Sequence, residues 1–408
     1  MTYTDETETE GPRVGLVLSG GGARGAYEVG VLRYIRERIR KPCPFHVITG
    51  SSVGAINGSY LAATADRPRA QTRALARVWA GLDLDQMYRI GWSQVRNLPQ
   101  VLLGRNLPET DRVDTIGGLV DSAYIESFVR DQIPWNGLRQ NLSRGNLHAF
   151  ACSATELATG MTTIFVQTHS GELPIWPTDT RQRVVHTNIT PAHTLASAAI
   201  PVLFPAVRVD GNYYVDGSLR HNTPVRPAMR LGASRLLVVG LRHENARHAA
   251  EQRARERVKT IFPSAVFMAG KLLDSIMLDK LEADLSRIER MNQLLESGLG
   301  AYGADFGQTI AAGIPGRHGR PYQPVEVLLV RPSQNLGEIA HDIVRKTKLR
   351  RYSGVMARWL RRAMLGEEMP ENDLASYVLF DPDYVKTLMH LGYHDAQAQH
   401  AEIAALFD

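Results

Sequence analysis

Residues 14–39, VGLVLSGGGARGAYEVGVLRYIRERI, and residues 47–63, VITGSSVGAINGSYLAA, decide the fold class. In each stretch a short apolar run is followed by glycines and then by apolar residues at helical spacing, which predicts a strand, a tight turn and a helix. Two such units in succession indicate parallel strands covered by helices. Further buried strands are predicted at 235–241 and 325–332. The sequence therefore predicts an α/β protein with a mostly parallel central sheet.

Hairpins and helices are predicted for much of the remaining chain. Two hairpins are expected, at 147–168 and at 206–217, the second with Asp210-Gly211 as its two-residue turn. A long amphipathic helix is predicted over 264–295. The C-terminal part reads as five helices, at 337–346, 348–366, 371–379, 381–390 and 393–407. We expect a disordered acidic tail at 1–12, a principal domain at 14–240, and a mostly helical C-terminal extension at 241–408 packed on that domain.

The composition excludes several classes of protein. The chain has 408 residues, 44% hydrophobic content and a formal net charge of +5, which is typical of a globular protein. No window contains the ~18 consecutive apolar residues of a membrane-spanning helix, and the acidic N-terminus lacks the features of a signal peptide. Two cysteines, Cys43 and Cys152, exclude a disulfide framework and a multi-cysteine zinc site. We therefore expect a cytoplasmic protein, and export without a leader peptide stays open.

Positive charge is concentrated in a basic segment, residues 345–362, which contains no acid. Its cations are Arg345, Lys346, Lys348, Arg350, Arg351, Arg358, Arg361 and Arg362. Such a run is typical of contact with anionic lipid or nucleic acid, and equally of a solvated helix face. No helix-turn-helix, zinc finger or RNA-binding aromatic pattern accompanies it, so no nucleic-acid partner is predicted. The irregular stretch 83–120 adds apolar residues for membrane contact, namely Leu98, Val101, Leu102 and Leu103.

The first candidate site is the glycine loop, residues 19–25, which reads SGGGARG between a predicted strand and a predicted helix. Gly20, Gly22 and Gly25 satisfy the pattern G-x-G-x-x-G. A dinucleotide site would need an acidic residue at the tip of the second strand, and a phosphate-binding P-loop would need Gly-Lys-Ser/Thr; the sequence has neither. The remaining alternatives are a turn whose free N–H groups bind an anion or oxyanion, and a tight turn without a ligand.

The second candidate site is Gly50-Ser51-Ser52-Val53-Gly54, which fits G-x-S-x-G between a strand and a helix. This is the context of a nucleophile elbow, where the sharp turn leaves no room for β-carbons beside the serine. The spacing makes Ser52, and not Ser51, the candidate nucleophile.

A serine hydroxyl needs a base that accepts its proton. The histidines after Ser52 lie in no recognisable strand-end setting. Asp216 ends a predicted strand, and Gly217 permits a close turn after it. Asp216 is therefore the best candidate acid.

Four segments, SGGGARGAYEVGVL, GSSVGAINGSYLA, ASAAIPVLFPAV and VDGSLRHNTPVRPAMRLGA, occur in this order and together resemble bacterial patatin-like phospholipases. The resemblance is strongest over residues 14–240, which would form the acyl hydrolase domain. It implies a three-layer α/β/α patatin-like fold and a Ser–Asp dyad without histidine. By position, Ser52 matches the nucleophile and Asp216 matches the dyad acid.

The same resemblance assigns the glycine loop. Gly20, Gly21 and Gly22 match the oxyanion-hole glycines. Arg24 matches a basic residue of that loop, which either supports the loop or contacts substrate phosphate. One departure is visible, because the family usually has glycine or alanine where this sequence has Ser218. Serine is small and is expected to fit the turn.

The resemblance implies cleavage of lipid carboxylic esters through an acyl-enzyme, as by a phospholipase A or a lysophospholipase. The expected partners are a phospholipid or other lipid ester and a membrane surface bound peripherally. No cofactor is implied, and the paired acids Asp83/Asp85 and Asp381/Asp383 lack a calcium-loop framework, so no metal site is predicted. Two alternatives stay open: a soluble carboxylesterase or acyltransferase on other esters, and an inactive scaffold that binds lipid or a partner. The sequence predicts no oligomeric state.

Overall fold

A computed structural model describes residues 12–39, 44–89, 115–116, 120–174, 176, 181–201, 203–243, 281–313, 322–365 and 373–408. The described strands form one ten-stranded sheet. They are β1 (Val14–Leu18), β2 (Val47–Ser51), β3 (Thr115–Ile116), β4 (Ala149–Glu156), β5 (Thr162–Thr168), β6 (Gln182–His186), β7 (Ala206–Val209), β8 (Asn212–Asp216), β9 (Arg235–Val239) and β10 (Glu326–Val330).

The sheet has a parallel centre and an antiparallel side. Its order is β10-β9-β1-β2-β4-β8-β7-β3, and β5 and β6 continue from β4. The five strands from β10 to β4 are parallel, whereas β8, β7 and β3 are each antiparallel to their neighbours. The predicted mostly parallel sheet is confirmed. Because β1 and β2 are adjacent and parallel, the turns that follow them lie at the same edge of the sheet.

Helices cover both faces of this sheet. Leu16 and Leu18 of β1 belong to one apolar cluster, and Val17 belongs to a second one. Side chains alternate along a strand, so the two clusters lie on opposite faces, which gives the expected three layers. The helices are α1 (Gly25–Arg38), α2 (Val53–Ala63), α3 (Pro68–Ala80), α4 (Leu84–Met87), α5 (Ala123–Gln132), α6 (Trp135–Ser143), α7 (Pro191–Ser197), α8 (Val225–Arg230), α9 (Leu281–Tyr302), α10 (Phe306–Gly313), α11 (Leu336–Thr347), α12 (Val355–Leu365), α13 (Asp373–Val378), α14 (Pro382–Ala398) and α15 (His400–Ala405), with 3-10 turns at Gly22–Arg24 and Gly217–Leu219.

Both predicted hairpins are present. β4 pairs antiparallel with β5, and β7 pairs antiparallel with β8. Asp210 and Gly211, which join β7 to β8, have positive φ angles of 47° and 88°, as a tight two-residue hairpin turn requires.

Strand β6 was not predicted. Of the helix predicted at 264–295, the structure describes the part from Leu281 onwards; residues 264–280, the acidic tail 1–11 and Leu98, Val101, Leu102 and Leu103 lie outside the described residues.

One predicted helix break is wrong. The segments 381–390 and 393–407 were predicted as separate helices, but α14 is continuous from Pro382 to Ala398. Gly392 does not end the helix, because it lies at the contact with α1, where a β-carbon would overlap the Tyr27 carbonyl oxygen. Gly30 of α1 makes the corresponding contact with the Met389 carbonyl. The two glycines let the two helix backbones approach closely.

Residues beyond 240 also contribute to the sheet itself. β10 pairs in parallel with β9, so the C-terminal part supplies an edge strand as well as helices. The helix predicted at 348–366 begins only at Val355. Lys348 and Leu349 have left-handed φ angles of 50° and 45°, and this backbone ends α11 instead of continuing it.

The close contact between α1 and α14 gives a stability prediction. Gly392→Ala is expected to lower the free energy of unfolding by about 1–3 kcal/mol, because the added methyl group overpacks the interface. Gly300→Ala on α9 is the matched control, since no described atom lies within 4 Å of its β-position. Helix propensity predicts unchanged or slightly higher stability for the control. Urea unfolding followed by circular dichroism measures both; equal destabilisation would contradict the packing explanation.

Candidate active site

Ser52 lies in the turn between β2 and α2 and has a strained backbone. Its φ of 53° and ψ of −124° are rare for a residue with a side chain. The Ser52 N–H donates to Ser197 Oγ at 3.0 Å, and Ser197 Oγ donates to the Ser153 carbonyl at 2.6 Å. The turn is therefore held in place by α7 and β4.

The four motif glycines are required by close contacts. A β-carbon on Gly50 would overlap the Gly54 carbonyl group, and a β-carbon on Gly54 would lie 2.5 Å from the Leu18 carbonyl oxygen. At Gly25 it would overlap the Val53 side chain, and at Gly217 it would overlap the Ser153 carbonyl group. Each glycine thus lets a turn at the site pack directly against neighbouring groups.

Asp216 ends β8, and its carboxylate faces Ser52. Ser52 Oγ donates to Asp216 Oδ2 at 2.6 Å. Asp216 Oδ1 accepts two hydrogen bonds from Ser218, one from the N–H at 2.8 Å and one from Oγ at 2.6 Å. Asp216 is fully buried, and burial raises its pKa to about 6, against the hydrogen bonds from Ser218 and Ser52, which lower it.

Ser218 belongs to the site, although its sequence context does not predict this role. From the sequence it is expected only to fit the turn, but its hydroxyl donates to the carboxylate that faces Ser52. Its position two residues after Asp216 is the signal that could have identified it, because a serine at this spacing can bond back to an aspartate side chain.

Ser51 and the histidines have other environments. The Ser51 hydroxyl is buried and has no hydrogen-bond partner among the described residues. His193 participates in the capping box that begins α7, and His221 contacts Ser153 Oγ at 3.2 Å. The hydrogen-bond acceptor of the Ser52 hydroxyl is a carboxylate and not an imidazole.

The amides of the glycine loop are not equivalent. Gly20 packs beside the serine, since a β-carbon on Gly20 would lie 3.1 Å from Ser52 Cβ. The Gly20 N–H already donates to the Asn222 carbonyl at 3.0 Å. Within the described ranges, no hydrogen bond uses the N–H groups of Gly21 and Gly22. Of the three glycines predicted for an oxyanion hole, Gly20 has its amide occupied, whereas those of Gly21 and Gly22 are available.

Arg24 is buried beneath the loop and faces the C-terminal part of the chain. Its Nε donates to Ser376 Oγ at 2.8 Å, and its Nη1 donates to Tyr377 Oη at 3.1 Å. The guanidinium carbon lies 3.9 Å from the centroid of the Tyr377 ring, a cation–π contact. These contacts favour support of the loop over contact with a substrate phosphate.

An apolar cleft opens beside Ser52. Ser52 and Gly22 line it together with apolar and aromatic side chains, among them Ile56, Met87 and Phe204. A cleft with this apolar lining suits a hydrocarbon chain whose polar end lies at the serine.

The paired acids singled out in the sequence have structural partners. Asp83 caps α4 and Asp381 caps α14, while Asp85 accepts the N–H groups of Ser353 and Gly354. Among the described residues, no group of three or more His, Cys, Asp and Glu side chains is arranged to hold a metal ion. In the same part of the chain, no helix has both the length and the apolar character needed to cross a membrane.

The family model of patatin-like phospholipases matches residues 16–229, slightly more than half of the chain. The chain therefore belongs to the patatin-like phospholipase family, as its motifs predicted. The site described above lies within the matched residues, except for Phe380 in the lining of the cleft and for the residues beyond 370 that Arg24 contacts.

Individual relatives share parts of this chain. It is 31% identical to a cGAMP-activated phospholipase of Pseudomonas aeruginosa over 212 residues, which are 51% of this chain and 53% of that protein. It is 48% identical to lysophospholipase nte1 of Aspergillus terreus over 56 residues, 14% of this chain and 4% of that protein. The chain thus spans about half the length of the first relative and a small part of the second. The solved structure of VipD from Legionella pneumophila aligns with 95% of this chain and 69% of its own, at a TM-score of 0.35 and 15% identity.

The geometry around Asp216 predicts the pH dependence of Ser52 reactivity. Labelling of Ser52 by a fluorophosphonate probe is expected to slow below about pH 6, because protonated Asp216 cannot accept the hydroxyl proton. Ser218→Ala removes a hydrogen bond that stabilises the ionised form of Asp216, so the pKa of Asp216 should rise further. The pH below which labelling slows should therefore be higher in this variant. In-gel fluorescence at fixed labelling times measures both profiles.

The control for this variant is Ser59→Ala, which removes another buried serine hydroxyl, one that is hydrogen-bonded to Thr194 Oγ1 at 2.8 Å. It should leave the pH below which labelling slows unchanged. A Ser218→Ala profile that coincides with the control profile would be inconsistent with the contact described for Asp216.

Proposed function

We propose that this protein hydrolyses carboxylic ester bonds of lipids, with Ser52 as the nucleophile and Asp216 as its base. The observation that carries the proposal is the 2.6 Å hydrogen bond from Ser52 Oγ to Asp216 Oδ2 beside an apolar cleft. A hydroxyl that donates to a carboxylate can lose its proton as it attacks. Family membership, and the words phospholipase and lysophospholipase in the names of the Pseudomonas and Aspergillus relatives, support a lipid ester as the substrate.

The proposed reaction proceeds through an acyl-enzyme. Ser52 Oγ attacks the ester carbonyl carbon, and its proton passes to Asp216 Oδ2. The N–H groups of Gly21 and Gly22 donate to the oxyanion of the tetrahedral intermediate. The intermediate expels the alcohol, which takes the proton from Asp216. A water molecule then attacks the acyl carbon, its proton passes through Asp216 to Ser52 Oγ, and the fatty acid is released.

In this mechanism the glycine loop supplies much of the stabilisation of the transition state. At its usual pKa near ~3.9 an aspartate is a weak base, and burial of Asp216 raises its pKa to about 6. Loss of one oxyanion-hole donor typically costs ~3–4 kcal/mol of transition-state stabilisation. Because the Gly20 N–H is bonded to Asn222, the donors in this proposal are Gly21 and Gly22.

Two other functions use the same residues differently. A soluble carboxylesterase or acyltransferase would act through Ser52 on esters other than phospholipids. An inactive scaffold would bind lipid in the cleft without turnover. The strained backbone of Ser52 and its short bond to Asp216 favour an enzyme over a scaffold, because strain of this kind clusters at active sites.

The test is hydrolysis of defined phospholipid vesicles compared with hydrolysis of nitrophenyl butyrate in solution. Release of fatty acid and lysophospholipid from vesicles supports the lipid hydrolase. Turnover of the soluble ester alone supports the carboxylesterase alternative, and absence of turnover on both substrates supports the scaffold.

The choice between the two serines gives a direct prediction. Ser52→Ala is expected to reduce ester hydrolysis by at least ~10³-fold, since the nucleophile is removed. Ser51→Ala should retain substantial activity, because the Ser51 hydroxyl has no hydrogen-bond partner in the described part of the chain. Circular dichroism checks that both variants fold. An inactive Ser51→Ala together with an active Ser52→Ala would show that the motif has been assigned in the wrong register.

We further propose that the basic segment, residues 345–362, binds an anionic lipid surface next to the cleft. Its exposed cations are Arg345, Lys346, Lys348, Arg350, Arg351, Arg358 and Arg362. The Asp85 carboxylate accepts the N–H groups of Ser353 and Gly354 and so joins the segment to α4, whose Met87 lines the cleft. A bilayer bound at this segment lies close to the cleft that would accept an acyl chain.

Two basic residues of the segment have internal roles. Arg351 pairs with Asp381 and Asp383, and Arg361 donates to the Tyr352 carbonyl at 3.4 Å. They are left unchanged in the test, so that the variant alters surface charge without removing these contacts.

Charge removal tests the membrane contact. Each cation near an anionic leaflet is worth ~1 kcal/mol at low salt and acts within a Debye length of ~8 Å at physiological salt. The variant with glutamine at Arg345, Lys346, Arg350 and Arg358 is expected to bind anionic vesicles at least tenfold more weakly in sedimentation assays, with a shallower salt dependence.

The control carries the same change of charge elsewhere on the surface. It replaces Arg139, Arg144, Arg287 and Arg290, which are exposed on or next to α6 and α9, by glutamine. It should bind vesicles nearly as the wild type does. Equal vesicle binding by the two variants would contradict a specific role for the basic segment.

A further inference from the structure

The segment Ser376–Phe380 lies outside the residues matched by the family model, yet it contacts both parts of the candidate site. It runs from the end of α13 to the start of α14, and all five of its residues are buried. Its first two residues contact the glycine loop, and its last residue lines the apolar cleft.

Tyr377 holds the glycine loop through its backbone and its side chain. A β-carbon on Gly22 would overlap the Tyr377 carbonyl group, and Gly22 has a left-handed φ of 56°. Two residues further on, Arg24 stacks on the Tyr377 ring and donates to Tyr377 Oη, while its Nε donates to Ser376 Oγ. The turn that presents the Gly21 and Gly22 amides is therefore packed directly against Tyr377.

Phe380 belongs to an aromatic wall of the cleft. Its ring stacks on Trp79 at a centroid distance of 6.2 Å and lies 6.1 Å from the Tyr88 ring. Tyr88 stacks in turn on Phe204 at 6.2 Å. All four rings line the cleft, so they form a continuous surface along which a hydrocarbon chain can pack.

The next residue fixes the end of the segment. Asp381 is fully buried and accepts the N–H groups of Asp383 and Tyr384, which caps α14. The same carboxylate accepts a hydrogen bond from the Tyr352 hydroxyl at 3.0 Å. Because a shift of the segment would break these bonds, Tyr377 and Phe380 are held in defined positions.

We propose that the segment Ser376–Phe380 completes the active site: Tyr377 is a positioning residue for the glycine loop, and Phe380 determines which acyl-chain length the cleft prefers. This inference rests on the proposed lipid hydrolase function. A chain attached at Ser52 and long enough to reach Phe380 gains apolar contact that a short chain does not make. Each methylene group buried against the aromatic wall increases the binding affinity about fourfold. The wall therefore makes the cleft prefer long acyl chains over short ones.

The two roles have different kinetic signatures. Phe380 acts on the acyl chain, so its loss changes the preference between long and short chains. Tyr377 acts on the loop that holds the oxyanion, so its loss lowers kcat for every chain length alike. A merely structural role for Phe380 predicts no change in chain-length preference. For Tyr377, kcat is calculated from the concentration of active sites titrated with a fluorophosphonate, so that a smaller folded fraction does not lower it.

The first arm of the experiment measures kcat/KM for nitrophenyl butyrate and nitrophenyl dodecanoate. Phe380→Ala is expected to lower the dodecanoate-to-butyrate ratio at least tenfold. Phe380→Leu keeps part of the apolar volume and should give an intermediate ratio; it also provides the answer if the alanine variant does not fold. A ratio equal to that of the wild type in a folded Phe380 variant would overturn the assignment.

The second arm uses Tyr377→Phe, which removes the hydroxyl that accepts a hydrogen bond from Arg24 Nη1 and keeps the ring and the backbone. We expect kcat to fall about tenfold for both esters, with KM and the dodecanoate-to-butyrate ratio unchanged. An unchanged kcat, or a change confined to one ester, would overturn the positioning role.

The matched control is Phe407→Ala, which removes a ring that packs on Phe45 at 5.6 Å, outside the cleft lining. It should leave the dodecanoate-to-butyrate ratio and kcat near the wild-type values. Loss of selectivity in this control as well would show that any destabilised variant loses it, and would overturn the inference.

A binding measurement separates this inference from the proposed function. In the Ser52→Ala background, calorimetry compares the affinity for laurate with that for butyrate, with and without Phe380→Ala, and needs no turnover. If the wild type hydrolyses no ester, the proposed function is wrong, whereas a tenfold loss of laurate preference on Phe380→Ala still supports the aromatic wall. If the wild type hydrolyses esters and the laurate preference is unaffected, the inference alone is wrong.

Discussion

The strained turn at Ser52 is the constraint on which the rest of the structure depends. A positive φ at a residue with a side chain costs about 1–3 kcal/mol and persists only where surrounding contacts hold it. Here Gly54 packs on the Leu18 carbonyl of the neighbouring strand, and the Ser52 N–H bonds to Ser197 of α7. The first contact requires β1 and β2 to be adjacent and parallel. The second requires α7 to lie beside the turn, where Ser197 Oγ also donates to the Ser153 carbonyl of β4. The local geometry of one residue is thus tied to the order of the sheet.

The acid of the site comes from the antiparallel side of the sheet. Parallel strands bring the glycine loop and the serine turn to one edge, but Asp216 arrives on β8, which runs antiparallel to β4 with Asp216 opposite Ala154. A buried carboxylate is costly unless hydrogen-bond donors surround it. The donors are Ser52 and both the N–H and the hydroxyl of Ser218, so the carboxylate is compensated by neutral groups. Neutral donors leave the pKa of Asp216 raised, whereas a neighbouring cation would have lowered it.

The sequence predicted the parts of the fold and site that depend on local patterns. The strand-turn-helix units, the Asp210-Gly211 hairpin and the G-x-S-x-G turn are each encoded within about twenty residues, and the structure contains all three. The features that it did not predict depend on contacts between distant parts of the chain. The Gly20 amide is occupied by Asn222, 202 positions away, and Gly392 lies within a continuous helix because α1 packs against it. A glycine that ends a helix and a glycine that permits a close contact between helices look the same in a single sequence.

A neutral hydrogen-bond network joins the helices that carry the parts of the site. Glu28 of α1, fully buried, accepts from Asn57 Nδ2 of α2 at 2.8 Å, and Asn57 Oδ1 accepts from Trp79 Nε1 of α3 at 2.9 Å. Burial raises the pKa of Glu28 to about 8, so near neutral pH the carboxyl group is mostly protonated. Among the described residues Glu28 forms no ion pair, and the raised pKa avoids the cost of burying an unpaired carboxylate there. Since α1 begins at the glycine loop, α2 begins next to Ser52 and Trp79 lines the cleft, these bonds fix the positions of the glycine loop, Ser52 and the aromatic wall of the cleft relative to one another.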